Sequence, residues 1–171
     1  LVKMGKNVNT FRHEAAPVVS PDGRTLYFFV QNHPENTMGK EDTQDIWVST
    51  MDPDGVWSVA RHLGSPFNLH RSNQVFTVFP DGQLFIKGGS SRGDKGFSIV
   101  SGTSLQEVKV KDFRDMNKGR FYGASMSVDR KHIIMYFSEV QNSINSDLYE
   151  SHQEPDGSFS RPTKLKLSTS T

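Results

Sequence analysis

Cysteine is absent from the 171 residues. That excludes disulfide scaffolds, cysteine-ligated zinc and thiol catalysis, and it selects no compartment. Long apolar runs are missing too: no stretch approaches the roughly 18 residues of a membrane-spanning helix, and mean hydropathy is -0.57. No membrane insertion is expected. Charge of one sign is also lacking, with 20 Lys and Arg against 19 Asp and Glu, a net +1. A nucleic-acid partner needs a basic stripe, so none is expected. Nor does this balance describe an acidic disordered chain. No segment shows a sustained helical period; only 104–116 leaves room for a short helical turn.

What the chain has is bulky apolar material for a core, 12 Phe among 11% aromatic residues. It also repeats itself. Ser20-Pro21-Asp22-Gly23 runs into Thr25-Leu26-Tyr27-Phe28-Phe29, a turn followed by a strand. Phe79-Pro80-Asp81-Gly82 before Leu84-Phe85-Ile86 reads the same way, and Ser127-Val128-Asp129-Arg130 before Ile133 to Phe137 is a degraded third copy. The turn aspartates Asp22, Asp81 and Asp129 are 59 and 48 residues apart. Asp-Gly suits such turns because Gly accepts positive φ and Asp bonds its own backbone.

Two further elements share one offset. Asp45-Ile46-Trp47-Val48-Ser49 matches Asp147-Leu148-Tyr149-Glu150-Ser151, and Asp52-Pro53-Asp54-Gly55-Val56-Trp57-Ser58 matches Glu154-Pro155-Asp156-Gly157-Ser158-Phe159-Ser160, both 102 residues on. In the middle copy Gly96-Phe97-Ser98-Ile99-Val100 stands where the first of these belongs. Asp45, Asp147, Trp47, Tyr149, Trp57 and the turn aspartates are therefore expected to be structural anchors of the repeat.

Each unit of about 50 residues reads as a meander of four strands. They are expected near 15–20, 25–30, 45–50 and 56–60, then 74–79, 83–87, 96–101 and 106–110, then 123–128, 132–137, 146–151 and 158–167. The strands at Thr25 and Ile133 carry apolar residues on both faces, as strands covered on both sides do. Stacked four-stranded sheets provide that cover, which is the arrangement of β-propeller blades.

The order of Asn9-Thr10, Ala16-Pro17, Ser20-Pro21-Asp22-Gly23, Leu26-Tyr27-Phe28, Asp45-Ile46-Trp47, Asp54-Gly55, Trp57-Ser58 and Leu63-Gly64-Ser65-Pro66-Phe67-Asn68 resembles the WD40-like PD40 propeller repeats. These occur in TolB-like and OmpA-associated periplasmic proteins. The match is close over 9–68, moderate over 123–171 and poorest between them. The resemblance implies an all-β chain of three four-stranded antiparallel meanders, a partial propeller with blades at about 11–68, 69–122 and 123–171. It implies a periplasmic or cell-envelope (secreted) location. The opening Leu1-Val2 without an initiator methionine or signal peptide fits an excerpt of something longer.

The connections expected at the end opposite the Asp-Gly turns are the long ones: 31–44, 61–73, 88–95, 111–122 and 138–146. Long loops on a rigid scaffold are where binding resides. His33, Glu35, Lys40, Asp42, His62, His70, Arg71, Arg92, Arg114 and Arg120 are the candidate binding residues there. The histidines show no ligand spacing and no calcium loop is present, so neither a metal nor a cofactor is expected. Gly88-Gly89-Ser90-Ser91-Arg92-Gly93 lacks a P-loop ending, and no serine sits in a nucleophile elbow. The expected function is a non-enzymatic binding or scaffold module of the envelope. Its partner would be a protein, a glycan or the remaining blades of the same propeller. The alternative is the propeller part of an enzyme, a peptidase or a glycan lyase or hydrolase.

Overall fold

The computed structural model describes residues 4–41 and 43–166. The chain divides into two compact units, Leu1–Glu107 and Val108–Thr171. The first holds two four-stranded meanders: β1 (Glu14–Val19), β2 (Thr25–Val30), β3 (Asp45–Thr50) and β4 (Arg61–His62), then β5 (Val75–Val78), β6 (Leu84–Lys87), β7 (Phe97–Ser101) and β8 (Ser104–Val108). The second holds α1 (Phe113–Met116) and a third meander of β9 (Gly123–Met126), β10 (His132–Phe137), β11 (Asp147–His152) and β12 (Thr163–Lys164). In each sheet the spatial order equals the chain order. This is the all-β, blade-like architecture expected from the repeats.

The first three strands of each meander lie within a residue or two of expectation; the fourth differs. Beyond the Asp52–Gly55 turn, Trp57 meets Met51 in an isolated bridge, and the ladder resumes only at Arg61 and His62. Ala60 N–H is drawn instead to Asn7 C=O, 2.9 Å away. In the third meander Phe159 bridges Gln153, and Pro162, which has no N–H, delays the ladder until Thr163. β8 begins two residues early because Gly102, at φ +57, turns the chain directly after β7.

The repeats are not in perfect register. The first and third hairpins close with Ser20 N–H on Thr25 C=O and Ser127 N–H on His132 C=O, but the second closes one residue sooner, with Phe79 N–H on Gln83 C=O. A one-residue step moves every side chain to the opposite face. Hence Leu84 and Ile86, not Phe85, take the places of Leu26 and Phe28.

In the first unit the two sheets pack face to face. Ile46, Tyr27 and Val18 of one sheet meet Val75, Val78, Leu84, Ile86 and Val100 of the other. The opposite face of the first sheet buries Leu26, Phe28, Val30 and Trp47, covered by Met4, Val8, Trp57 and Ala60. Both faces of β2 are thus used.

The third sheet departs from expectation. β10 alternates strictly: Ile133, Met135 and Phe137 are buried, while Ile134 and Tyr136 remain 41% and 39% exposed. On its covered face Phe137 of β10 and Tyr149 of β11 stack at 3.9 Å between ring centroids, and Phe113, itself against Tyr122, packs edge-on to Phe137.

Candidate functional site

The long connections of the first unit meet around Asp45, the fully buried first residue of β3. Its Oδ2 accepts from Thr37 N–H (2.7 Å) and Thr37 Oγ1 (2.9 Å), and His62 Nε2 lies 2.7 Å away. Its Oδ1 accepts from Asn73 Nδ2 at 2.7 Å. Asn68 clamps the backbone of Ile46 through both ends of its amide, at 2.8 and 3.1 Å. The connections 31–44 and 61–73 are thereby joined to one carboxyl. Beside it Trp47 donates through Nε1 to Asn36 Oδ1 at 3.0 Å, with the rings of His33 and His62 edge-on to the indole.

His70 holds the Gly-rich connection. Its Nε2 donates to Gly89 C=O and its Nδ1 accepts from Gly93 N–H, both at 3.1 Å. The neutral ring makes both bonds, and burial holds its pKa below the ordinary histidine value. The ring lies where a side chain on Gly88 would be: a Cβ there would stand 2.1 Å from His70 Cδ2. Nearby, Lys87 reaches Ser72 Oγ at 3.1 Å, and burial pulls its ammonium down to about 8.

Two residues of the expected binding set thus have partners within the fold. His62 lies in β4, held by Asp45 and Asn68. His70 is an internal brace of 88–93. Asp147, the repeat equivalent of Asp45, is exposed and bound to Lys164 at 2.6 Å rather than at the centre of a buried network.

Of the remaining residues, His33 and Glu35 share the rim of a cavity of about 250 Å³, floored by Phe28, Val30 and Trp47. Burial and the Arg12 charge lower the His33 pKa. Lys40, Arg71 and Arg92 are exposed; Arg71 caps Glu41 C=O at 3.1 Å and Arg92 reaches Met38 Sδ. Asp42 lies outside the described residues. Arg114 and Arg120 are exposed in the second unit. The turn aspartates do local work: Asp22 bonds Ser20 Oγ and Arg24 N–H, Asp129 bonds Ser127 Oγ and Lys131 N–H, and Asp81 bonds Gln83 N–H. Their hydrogen bonds hold the carboxyls of Asp22 and Asp129 below the usual range.

The second unit presents a different surface at its long connections. Segments 111–122 and 138–146 are tied to each other: Lys118 and Gly119 N–H donate to Ser138 C=O, Arg120 N–H to Ser143 C=O, and Asn142 N–H to Lys118 C=O, all at 2.8–3.0 Å. From these braced segments Phe121, Val140 and Ile144 project 55%, 67% and 68% exposed. A cavity of about 370 Å³ in the same unit is lined by Asp112, Asp115, Met116, Lys118, Glu139 and Arg161. Arg161 donates to Asp112 there at 3.1 Å, and Tyr149 donates to Glu139 at 2.9 Å. Burial and Glu139 push the Tyr149 hydroxyl up to about 12.

A sequence reading attentive to polar chemistry passed over the three apolar side chains. Their signal was available: bulky apolar residues in connections too polar to be strands. Among the described residues no group of three or more His, Asp or Glu side chains could hold a metal ion.

No family model matches the chain, and no curated protein does. Among solved structures it is similar to puromycin hydrolase, with a TM-score of 0.50 and 14% identity, covering 91% of this chain and 22% of that one. The chain thus spans about a fifth of the length of that protein. At this identity the likeness shows the fold alone.

Proposed function

We propose that the chain is a binding module of PD40 type that takes a protein partner through its long-connection face. The observation that carries this reading is the apolar trio Phe121, Val140 and Ile144, held out on connections braced by backbone hydrogen bonds. Large exposed apolar side chains on a rigid support mark protein contact surfaces, and their prior ordering lowers the entropic cost of binding. The exposed Arg120, next to Phe121 in the chain and bonded through its N–H to Ser143 C=O, supplies a charged rim. A glycan would be better served by exposed aromatic platforms and dense hydroxyl-binding groups, so a protein is the favoured partner. Further blades of the same propeller remain a partner of the sheets rather than of this face.

The location proposed, the bacterial envelope, rests on the repeat resemblance. Photo-reactive residues placed at 121, 140 and 144 should label a discrete protein in an envelope extract. The same residue at Val128, in the exposed turn between β9 and β10 of the same unit, should not. Labelling from Val128 instead would put the binding face at the turn end of the third meander. The enzymatic alternative has only a likeness of fold behind it; turnover of peptide or glycan substrates by the purified chain would revive it.

A further inference from the structure

We propose that the cavity beside Trp47 in the first meander binds a small aromatic amine, a single ring carrying a protonated amino group. All the residues that line it belong to the first unit, so the site is independent of the protein-binding face.

The internal repeat explains why the space is open. By ladder register, Phe28, Val30 and Trp47 take the places of Met135, Phe137 and Tyr149 in the third sheet. The segment before each first strand crosses that face in a similar way. Asn7 Nδ2 donates to Trp57 C=O at 2.8 Å, and Lys111 N–H donates to Phe159 C=O at 3.0 Å. Trp57 and Phe159 share the 102-residue offset. The buried apolar side chain that follows is Val8 in the first meander and Phe113 in the third. In the third, the Phe113 ring is edge-on to Phe137, with centroids 5.4 Å apart. In the first, isopropyl groups of Val8 and Val30 replace both rings, and a cavity of about 250 Å³ lies against them. Protein interiors seldom leave voids larger than a water molecule. The third meander supplies its own aromatic filling; the first leaves room for a ring from outside.

Floor and rim differ in character. Phe28, Val30 and Trp47 make the floor apolar, and the two aromatic side chains suit offset or edge contact with a ring. Glu14 and Glu35 stand on the rim. Thr10 Oγ1 donates to Glu14 Oε1, and Glu35 N–H donates to His33 Nδ1 at 3.1 Å. Both carboxylates act on His33, yet burial and the Arg12 charge hold its pKa below the ordinary value. The ring is therefore neutral at pH 7.5 and adds no positive charge. Arg12, whose guanidinium bonds Asn32 C=O and lies over the Phe11 ring, is outside the lining. Within the lining two carboxylates face one ammonium, that of Lys6. An apolar floor with a few polar groups converging at its rim is the usual form of a small-molecule site, and this rim favours a cation.

Phenethylamine is the probe. NMR titration at pH 7.5, followed at the Trp47 indole N–H, should give a Kd of about 1 mM or tighter. Phenethyl alcohol, the same ring without charge, should bind at least threefold more weakly, and 3-phenylpropanoate at least tenfold. Val8→Phe restores the ring that the third meander carries and should weaken phenethylamine at least tenfold. Glu14→Gln with Glu35→Gln should weaken phenethylamine at least fivefold and leave phenethyl alcohol within twofold. That pair leaves the floor intact and decides the matter if Val8→Phe does not fold. No shift at about 10 mM phenethylamine overturns the proposal. So does equally tight binding of the propanoate, binding that persists in folded Val8→Phe, or binding indifferent to the glutamine pair.

Discussion

Replacing Gly88 by alanine tests how the long connections of the first unit are held. Two costs are legible in the structure. Gly88 sits at φ +104, where a side chain is disfavoured, at roughly 1–2 kcal/mol. The new Cβ would also stand 2.1 and 2.2 Å from His70 Cδ2 and Nε2, so the ring must leave. Its departure breaks the bonds to Gly89 C=O and Gly93 N–H, each contributing about 1 kcal/mol. Gly88→Ala should therefore destabilise the chain by roughly 3–4 kcal/mol, read from urea unfolding followed by tryptophan fluorescence. A double-mutant cycle separates the terms. In a His70→Ala background the clash and the two bonds are already gone, so Gly88→Ala should cost only the backbone term, about 1–2 kcal/mol. Equal costs in the two backgrounds would refute the view that His70 is packed on Gly88 as a brace. So would a cost under about 1 kcal/mol in the natural background.

The neutral His70 ring that accepts Gly93 N–H predicts a pH dependence. Its folded value lies below the ordinary 6.5, so the folded chain binds fewer protons than the unfolded one as pH falls through that range. Its stabilisation is full above about 6.5 and is lost below it. The melting temperature should fall from pH 7.5 to 5.5 more steeply in the natural chain than in His70→Gln, and parallel curves would contradict this. Asp45→Ala strands Thr37, His62 and Asn73, at about 3–5 kcal/mol, whereas Asp147→Ala should cost less than about 1 kcal/mol; thermal melts of the two variants give the comparison. Arg130 stands at φ +61 in the turn where the first two copies have glycine, so Arg130→Gly should stabilise by roughly 0.5–1 kcal/mol in urea unfolding.

The meanders were legible because their signals are local. Asp-Gly turns and apolar strands such as Thr25–Val30 and His132–Phe137 announce themselves within a few residues. The fourth strands were not, since β4 and β12 are two residues each, and the ladder is held off before them by the bond from Ala60 N–H to Asn7 C=O and by Pro162, which has no N–H. The 102-residue offset predicted equivalence for Asp45 and Asp147, and it does run through His62 and Lys164, which face these aspartates in their sheets. It also runs through the bonds from Ser49 to Ser58 C=O and Ser151 to Ser160 C=O, at 2.7 and 2.6 Å. Burial is what the offset does not carry: Asp45 is enclosed by Thr37, Asn68 and Asn73, residues set by long-range packing. For the same reason His62 and His70 resembled loop residues in sequence and are internal braces in the fold. The apolar trio needed attention to what loops ordinarily lack, together with the hydrogen bonds that brace 111–122 against 138–146.

The proposal that the chain binds a protein through this trio is tested most directly by one paired measurement. Partner capture and melting temperature are followed together in a Phe121→Ser, Val140→Ser, Ile144→Ser variant. All three side chains are more than half exposed, so the melting temperature should stay within about 2 °C. Capture of the photo-labelled partner should fall at least tenfold. Undiminished capture, or a loss that appears only with a lowered melting temperature, would contradict the account.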